Sequence, residues 1–177
     1  AYAPAFAAGS PEWQRAAGLA SMTVWRQTDA ERHIAAAEAL YRARGEADAA
    51  QAMAARRATT LVALGRIAEA TAQLQALQEA PLAEVEARLN ASTAAAWLAL
   101  ESGDHDAVAA PFAAFVQQQL QCQALTDWGN VPPPRLTACR GVAPLVQRWA
   151  EGALAAVGAP PPPLRTLALL ALGWRPL

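Results

Sequence analysis

The chain contains no lysine and only two isoleucines, and each scarcity excludes a class of protein. Its 14 basic residues are all arginine and face 15 acidic residues, so the net charge is −1 and a nucleic-acid partner is not expected. Two isoleucines and nine valines leave little material for β-strands, which favour β-branched side chains. Composition therefore argues against sheets and against a strongly charged binding surface.

Residues that carry catalytic or metal chemistry are also few. The chain has two cysteines and two histidines, and no histidine lies near a cysteine in the sequence, so a zinc site is not expected. There is no nucleophile elbow, no phosphate-binding glycine loop and no His-Glu pair at metalloprotease spacing. His33 and His105 stand beside acidic residues and could act as oriented bases or ligands, but solvated histidines in helix first turns are the more common case. We therefore expect neither an enzyme nor a cofactor.

Cys122 and Cys139 flank a stretch that contains Gly129, Asn130 and the prolines at 132–134. A disulfide between them would close this loop, and two unpaired thiols are the alternative. A bridge would place the protein in the periplasm or outside the cell, whereas free thiols would suit the cytoplasm, so the compartment stays open. Because the chain begins at Ala1 without a leader pattern, we interpret it as a mature chain or an excised fragment.

Long apolar runs are absent. The longest one near the C-terminus, Leu167 to Trp174, is far shorter than the roughly 20 residues that cross a bilayer, and arginines bracket it. No membrane span is predicted.

Alanine and leucine are abundant instead, with 49 and 21 residues of the 177. Both are strong helix formers, and alanine lets helices pack closely. Apolar spacing, caps and breakers predict eight helices, the second beginning with a Thr28/Glu31 capping box. They run at about 11–25, 28–45, 47–64, 67–80, 82–100, 108–120, 142–157 and 164–172.

These helices predict one all-α domain over residues 1–177. Residues 11–120 would form three antiparallel helical hairpins, 121–141 a proline-containing loop, and 142–177 the C-terminal capping helices. Pro160 to Pro163 would be a stiff spacer before the last helix.

An internal repeat lies within the hairpins. The turn glycines Gly65 and Gly103 are 38 residues apart, close to the 34-residue period of tetratricopeptide arrays. Small residues at Ala58, Ala70 and Ala96 would let helix backbones approach, and large residues would fill the seam between hairpins at Leu61, Leu74, Phe112 and Phe115.

The segments LVALGRIAEA (61–70) and LALESGDHDAV (98–108), with Pro81 ending the first copy, resemble the tetratricopeptide repeat (TPR) family. The resemblance covers about residues 11–120 and implies stacked hairpins in a right-handed superhelix. In that family the first helix of each hairpin lines a concave groove that binds a peptide or a partner helix.

Transferred to this chain, the resemblance implies groove positions at Ala55, Val62 and Leu100, and a partner-binding set of Arg56, Thr59, Asn90, Thr93 and Trp97. Trp97 would offer a flat apolar surface, the Thr and Asn side chains hydrogen bonds, and Arg56 a carboxylate contact. The Lys and Asn that clamp a C-terminal carboxylate in some members are absent. The alternative is that Trp97 belongs to the core and the polar residues cap or solvate helices.

The function implied is a non-catalytic module that binds a protein or peptide, as a regulatory or scaffold part of a larger bacterial protein or complex. The main alternative is a small-molecule sensory domain of a bacterial regulator, with a pocket walled by Trp128 and Trp149. A third, an enzyme, would need His105 to join acids of another helix around a metal. Among the six tryptophans, Trp128 and Trp174 are the best candidates for exposed contacts, although packing in the core is the more common case for each. The oligomeric state is left open.

Overall fold

A computed structural model describes residues 7–79, 81–122 and 139–156, and in these ranges the chain is entirely helical. The predicted loop after Cys122, including Trp128, and the C-terminal segment with the predicted 164–172 helix and Trp174 lie outside the described residues. The seven helices are α1 (Pro11–Thr23), α2 (Gln27–Ala43), α3 (Ala47–Ala63), α4 (Ile67–Gln78), α5 (Val85–Glu101), α6 (Ala109–Cys122) and α7 (Ala143–Ala156).

The first helix begins as its sequence predicts. The Ser10 hydroxyl accepts a hydrogen bond from the backbone N–H of Trp13 at 3.1 Å, and Pro11 occupies the first helical position, where no N–H is needed. The predicted Thr28/Glu31 capping box of α2 is wrong. That helix starts earlier, after Arg26, because the preceding turn already directs the backbone into it, and no side chain caps it. Glu31 instead pairs with Arg57 of α3.

Four of the connections share one turn geometry. The backbone enters the left-handed region at Trp25 (φ 60°), Gly45 (75°), Gly65 (71°) and Gly103 (76°). In each turn the next amide donates to the carbonyl five positions before it, as Arg26 does to Ser21 and Arg66 to Leu61, both at 2.9 Å. This is the Schellman C-cap, which glycine favours because it has no Cβ. Three of these turns are only three residues long, so α1 to α4 run antiparallel to their chain neighbours.

α3 and α5 are the central helices. α3 packs against α2, α4 and α5, α5 also packs against α4 and α6, α1 packs on α2, and α7 packs on α6. Alanine makes these approaches close, since Ala30, Ala55, Ala58 and Ala94 are fully buried. The residues predicted to fill the contacts between helices are all buried: Ala58, Ala70, Ala96, Leu61, Leu74, Phe112 and Phe115.

The buried apolar residues form four neighbouring clusters. One joins α2 and α3, with Met22 of α1 and Ala87 of α5 beside it; two smaller ones join α3 with α4, and one of these includes Ala94 of α5. The largest lies at the C-terminal side, where Phe112, Phe115 and Trp149 pack with residues of α5, α6 and α7. The helices thus bury their apolar surface in several clusters, each between helices that pack together. Across the described ranges, none of the helices has the length and apolarity that crossing a membrane would require.

Candidate functional site

The predicted partner-binding residues lie where α5 packs on α3. Glu86, Asn90, Thr93 and Trp97 follow one another on α5 at spacings of four, three and four, which puts them on a single face of that helix. Arg56 and Thr59 come from α3, and both contact this face. The structure therefore brings all five predicted residues together along one helix–helix contact. We call this row, with Glu86 and Arg15, the α3–α5 face.

One end of the α3–α5 face is charged. Glu86 Oε2 accepts a hydrogen bond from Arg15 of α1 at 2.6 Å, and Glu86 Oε1 accepts one from Arg56 of α3 at 2.9 Å. The Arg56 side chain is only 11% exposed, and its Nε has no hydrogen-bond partner among the described residues, whereas Arg15 is 39% exposed. Two guanidinium groups share one carboxylate, so these three groups together carry one positive charge.

The middle of the α3–α5 face is closed. Asn90 and Thr93 are 2% and 1% exposed, and each donates to a carbonyl of its own helix, Asn90 to Glu86 and Thr93 to Leu89. The Thr59 hydroxyl donates across to the Asn90 carbonyl at 3.4 Å. Of these three hydrogen bonds, only that of Thr59 joins the two helices. The buried Asn90 and Thr93 side chains are not presented to a ligand.

Trp97 forms the other end. It is half-buried, meets Phe115 edge to face with ring centroids 6.2 Å apart, and packs against both the C-terminal cluster and the Leu61 cluster. One part of its indole is therefore core, as the alternative interpretation expects, and another part reaches solvent.

Ion pairs outside this face tie α2, α3 and α4 together. Glu31 binds Arg57 at 2.9 Å and Arg66 at 3.4 Å. Arg66 also donates two hydrogen bonds of 2.6 Å to Glu69, and these lower the pKa of the Glu69 carboxyl and raise the pKa of Arg66. Burial raises the pKa of the Tyr41 phenol on α2. Glu69 is exposed and Arg66 is partly exposed, and the role of this arrangement is to position the helices.

Both histidines contact other side chains of the protein. His33 Nδ1 lies 2.7 Å from Gln14 Oε1, and its ring meets Trp13 edge to face, so it packs α2 against α1. His105 Nδ1 lies 3.5 Å from the Cys139 sulfur. Within the described ranges, no three His, Cys, Asp or Glu side chains gather closely enough to hold a metal ion.

The predicted disulfide involves one described side chain. Cys139 is 3% exposed, has no disulfide partner among the described residues and packs in the C-terminal cluster. The side chain of Cys122 is outside the described residues, and so is the loop that the bridge would close. The Cys122–Cys139 pairing, and the compartment that depends on it, stay predictions.

The predicted small-molecule pocket involves Trp149, which is fully buried among Phe112, Val142 and Val146, while its opposite wall, Trp128, is outside the described residues. A separate open cleft of about 250 Å³ lies between α2, α3 and α4. Alanines and one leucine form most of its lining, and three polar side chains complete it: Ala47, Ala50, Ala54, Ala76, Leu77, Arg42, Gln51 and Gln73. We call this the α2–α4 cleft.

Sequence reasoning missed the most exposed tryptophan among the described residues. Trp25, in the turn after α1, is 83% exposed, and its neighbour Val24 is 62% exposed. The signal was present, because aligning the turns on Gly45, Gly65 and Gly103 places Trp25 at the glycine position.

Comparison with protein-family models, with curated proteins and with solved structures finds no match to this chain.

Proposed function

We propose that this protein is a non-catalytic interaction module that binds a peptide or partner protein, as a regulatory or scaffold part of a larger bacterial protein or complex. Its helices would be stacked as hairpins of the TPR kind, with α1, α3 and α5 as the inner helices. The recurrence of one turn geometry at Trp25, Gly45, Gly65 and Gly103 supports a repeated hairpin unit.

The observation that carries the proposal is the unequal charge at Glu86. Arg15 and Arg56, from two different helices, converge on this one carboxylate. The Arg15 guanidinium is accessible and has more donors than Glu86 can occupy. A carboxylate on a bound segment would neutralise the excess charge through a charge-assisted hydrogen bond, so we expect an acidic residue in the partner.

Trp97, at the other end of the same helix face, would supply an apolar contact. It stands 11 positions, or about three helical turns, beyond Glu86, so an extended segment of about five residues would span both ends. The bond of Thr59 to the Asn90 carbonyl would keep α3 and α5 in register between these ends, with Asn90 and Thr93 satisfied on their own helix. Arg56 would hold Glu86 and thereby orient Arg15.

A displayed random-peptide library selected on the purified chain tests this function. We expect enriched peptides with an acidic residue a few positions from a large apolar one. Arg15→Gln should weaken their binding about tenfold, the usual effect of removing one charge-assisted hydrogen bond. Arg148→Gln, an exposed arginine on α7, is the matched control and should leave binding unchanged.

Trp97→Ala should weaken the same peptides by more than about 2 kcal/mol if the indole is an anchor. Because Trp97 also packs on Phe115, circular dichroism must show that this variant keeps its helices. No enrichment over the library background, or equal binding by wild type, Arg15→Gln and folded Trp97→Ala, would reject the proposed function.

A further inference from the structure

The turn between α1 and α2 carries a tryptophan at a position that costs stability. The left-handed backbone at Trp25 disfavours every residue with a Cβ, and the other three turns of this type use glycine. The side chain gains little inside the molecule in return, since it is 83% exposed. An exposed, strained aromatic next to the exposed Val24 is typical of a contact made with another molecule.

The α2–α4 cleft has the dimensions for one large side chain. Its volume of about 250 Å³ is below the roughly 300–1,000 Å³ of small-molecule sites. Ala50, Ala54 and Leu77 give an apolar surface against which a flat ring can lie.

The polar lining of the cleft fits an indole. Arg42 can lie over the ring as a cation–π partner, and the carbonyl of Gln51 or Gln73 can accept the indole N–H. The ion pair of Arg42 with Glu38, at 2.6 Å, holds the guanidinium at this place.

Charge is complementary between the turn and the surroundings of the cleft. Arg26 and Arg32 both pair with Asp29 and are each 70% exposed, which leaves one positive charge beside Trp25. Two exposed acids lie at the helix ends that border the cleft: Asp48 is in the first turn of α3, one position after Ala47, and Glu79 is the C-cap of α4, two positions after Leu77. In the described part of the chain neither acid forms an ion pair.

We propose that Trp25 of one copy of this chain occupies the α2–α4 cleft of a second copy, with Arg26 and Arg32 directed toward the acids beside that cleft. The turn and the cleft are different surfaces of one molecule, so the contact is heterologous. It does not depend on the α3–α5 face, and it would stand if the peptide-binding function were rejected.

Sedimentation velocity of the full chain, at concentrations up to about 1 mM because one side-chain contact gives a weak complex, tests the proposal. We expect wild type to self-associate with increasing concentration. Trp25→Gly removes the indole and introduces glycine, the residue that the other three turns have at this position, so the variant should stay folded and monomeric. Ala76→Arg, at an exposed α4 position, should fill the cleft and also stay monomeric.

Mixing the two variants is the decisive measurement. Ala76→Arg keeps Trp25 and Trp25→Gly keeps an open cleft, so the pair should form a 1:1 complex although neither associates alone. Val85→Ala, which trims another exposed apolar side chain, is the control and should associate like wild type. A monomeric wild type, an associating Trp25→Gly variant, or a mixture that stays monomeric would each overturn the proposal.

Discussion

Gly18 shows how closely α1 and α2 approach at the scale of one residue. A Cβ built there would lie 2.7 Å from Ile34 Cγ1 and 3.4 Å from the Ile34 backbone nitrogen. Ile34 is fully buried, so it has little room to move away. The glycine is a packing requirement of this hairpin and not a helix breaker.

Gly18→Ala should therefore destabilise the protein by about 1–3 kcal/mol, the usual cost of overpacking. The measurement is the free energy of unfolding in urea, followed by circular dichroism. In an unhindered helix the same change would instead stabilise by about 1 kcal/mol. A gain of that size would show that α1 and α2 separate easily.

Gln119 is a polar side chain buried in the apolar interior. It is 1% exposed on α6, and neither its amide oxygen nor its amide nitrogen has a hydrogen-bond partner among the described residues. Such a buried amide costs about 1–3 kcal/mol relative to a satisfied one.

Gln119→Met, an apolar side chain of similar length, should raise the free energy of unfolding by about 1–2 kcal/mol. Gln117→Met on the exposed side of the same helix serves as the comparison and should change stability by less than about 0.5 kcal/mol. Destabilisation by Gln119→Met beyond that of the comparison would mean that the amide is hydrogen-bonded in solution.

Residue by residue, the sequence predicted the burial of apolar side chains better than the burial of polar ones. Periodicity placed Leu61, Phe112 and Phe115 in the interior because apolar side chains at helical spacing have only one face to occupy. It could not tell that Asn90 and Thr93 also lie inside, since a polar side chain can satisfy itself on its own helix.

The turns are the feature that matters at the scale of helices. Three glycines and one tryptophan occupy equivalent left-handed positions, so substitutions at these positions should have opposite effects. Gly65→Ala should cost about 1 kcal/mol because alanine adds a Cβ that the left-handed backbone disfavours.

Trp25→Gly should raise the free energy of unfolding by about 0.5–1 kcal/mol. The gain from relieving the left-handed strain is partly offset because glycine gives the unfolded chain more conformational entropy. Chemical denaturation at low protein concentration, where self-association is absent, gives both values. A loss of stability in Trp25→Gly would indicate that the indole packs within its own chain.

Helix existence and most helix ends were predictable from sequence, because glycine marked three C-termini and proline one N-terminus. Trp25 was not recognised as a turn residue, because a bulky side chain is rare in a left-handed backbone and only alignment with the glycines of the other turns marks the position. The start of α2 was missed for a related reason: Thr28 and Glu31 match a capping box by letter, but the chain had already begun the helix at Gln27.

For the whole molecule, the distribution of contacts predicts uneven stability. α3 and α5 each pack against three other described helices, while α1 packs mainly on α2 and α7 on α6. A helix that packs against few others loses fewer contacts when it opens, so α1 and α7 should open before α3 and α5.

Native-state hydrogen exchange followed by mass spectrometry should find the slowest-exchanging amides in α3 and α5 and faster exchange in α1 and α7. Equal protection of all seven helices would instead indicate a single cooperative unit.

The all-α class followed from composition. The packing order, with α3 and α5 at the centre, did not, because it depends on which alanine-lined helix faces meet. Alanine is too common in this chain to distinguish those faces.

The bond between Arg15 and Glu86 joins positions 71 residues apart. At a translation rate of about 5–20 residues per second, roughly 4–14 s pass between the synthesis of the arginine and that of the glutamate. During that interval the nascent N-terminal hairpin lacks its link to the fifth helix. The direct link between α1 and α5 is therefore a late event on the ribosome, because it forms only once the glutamate that binds this arginine has been made.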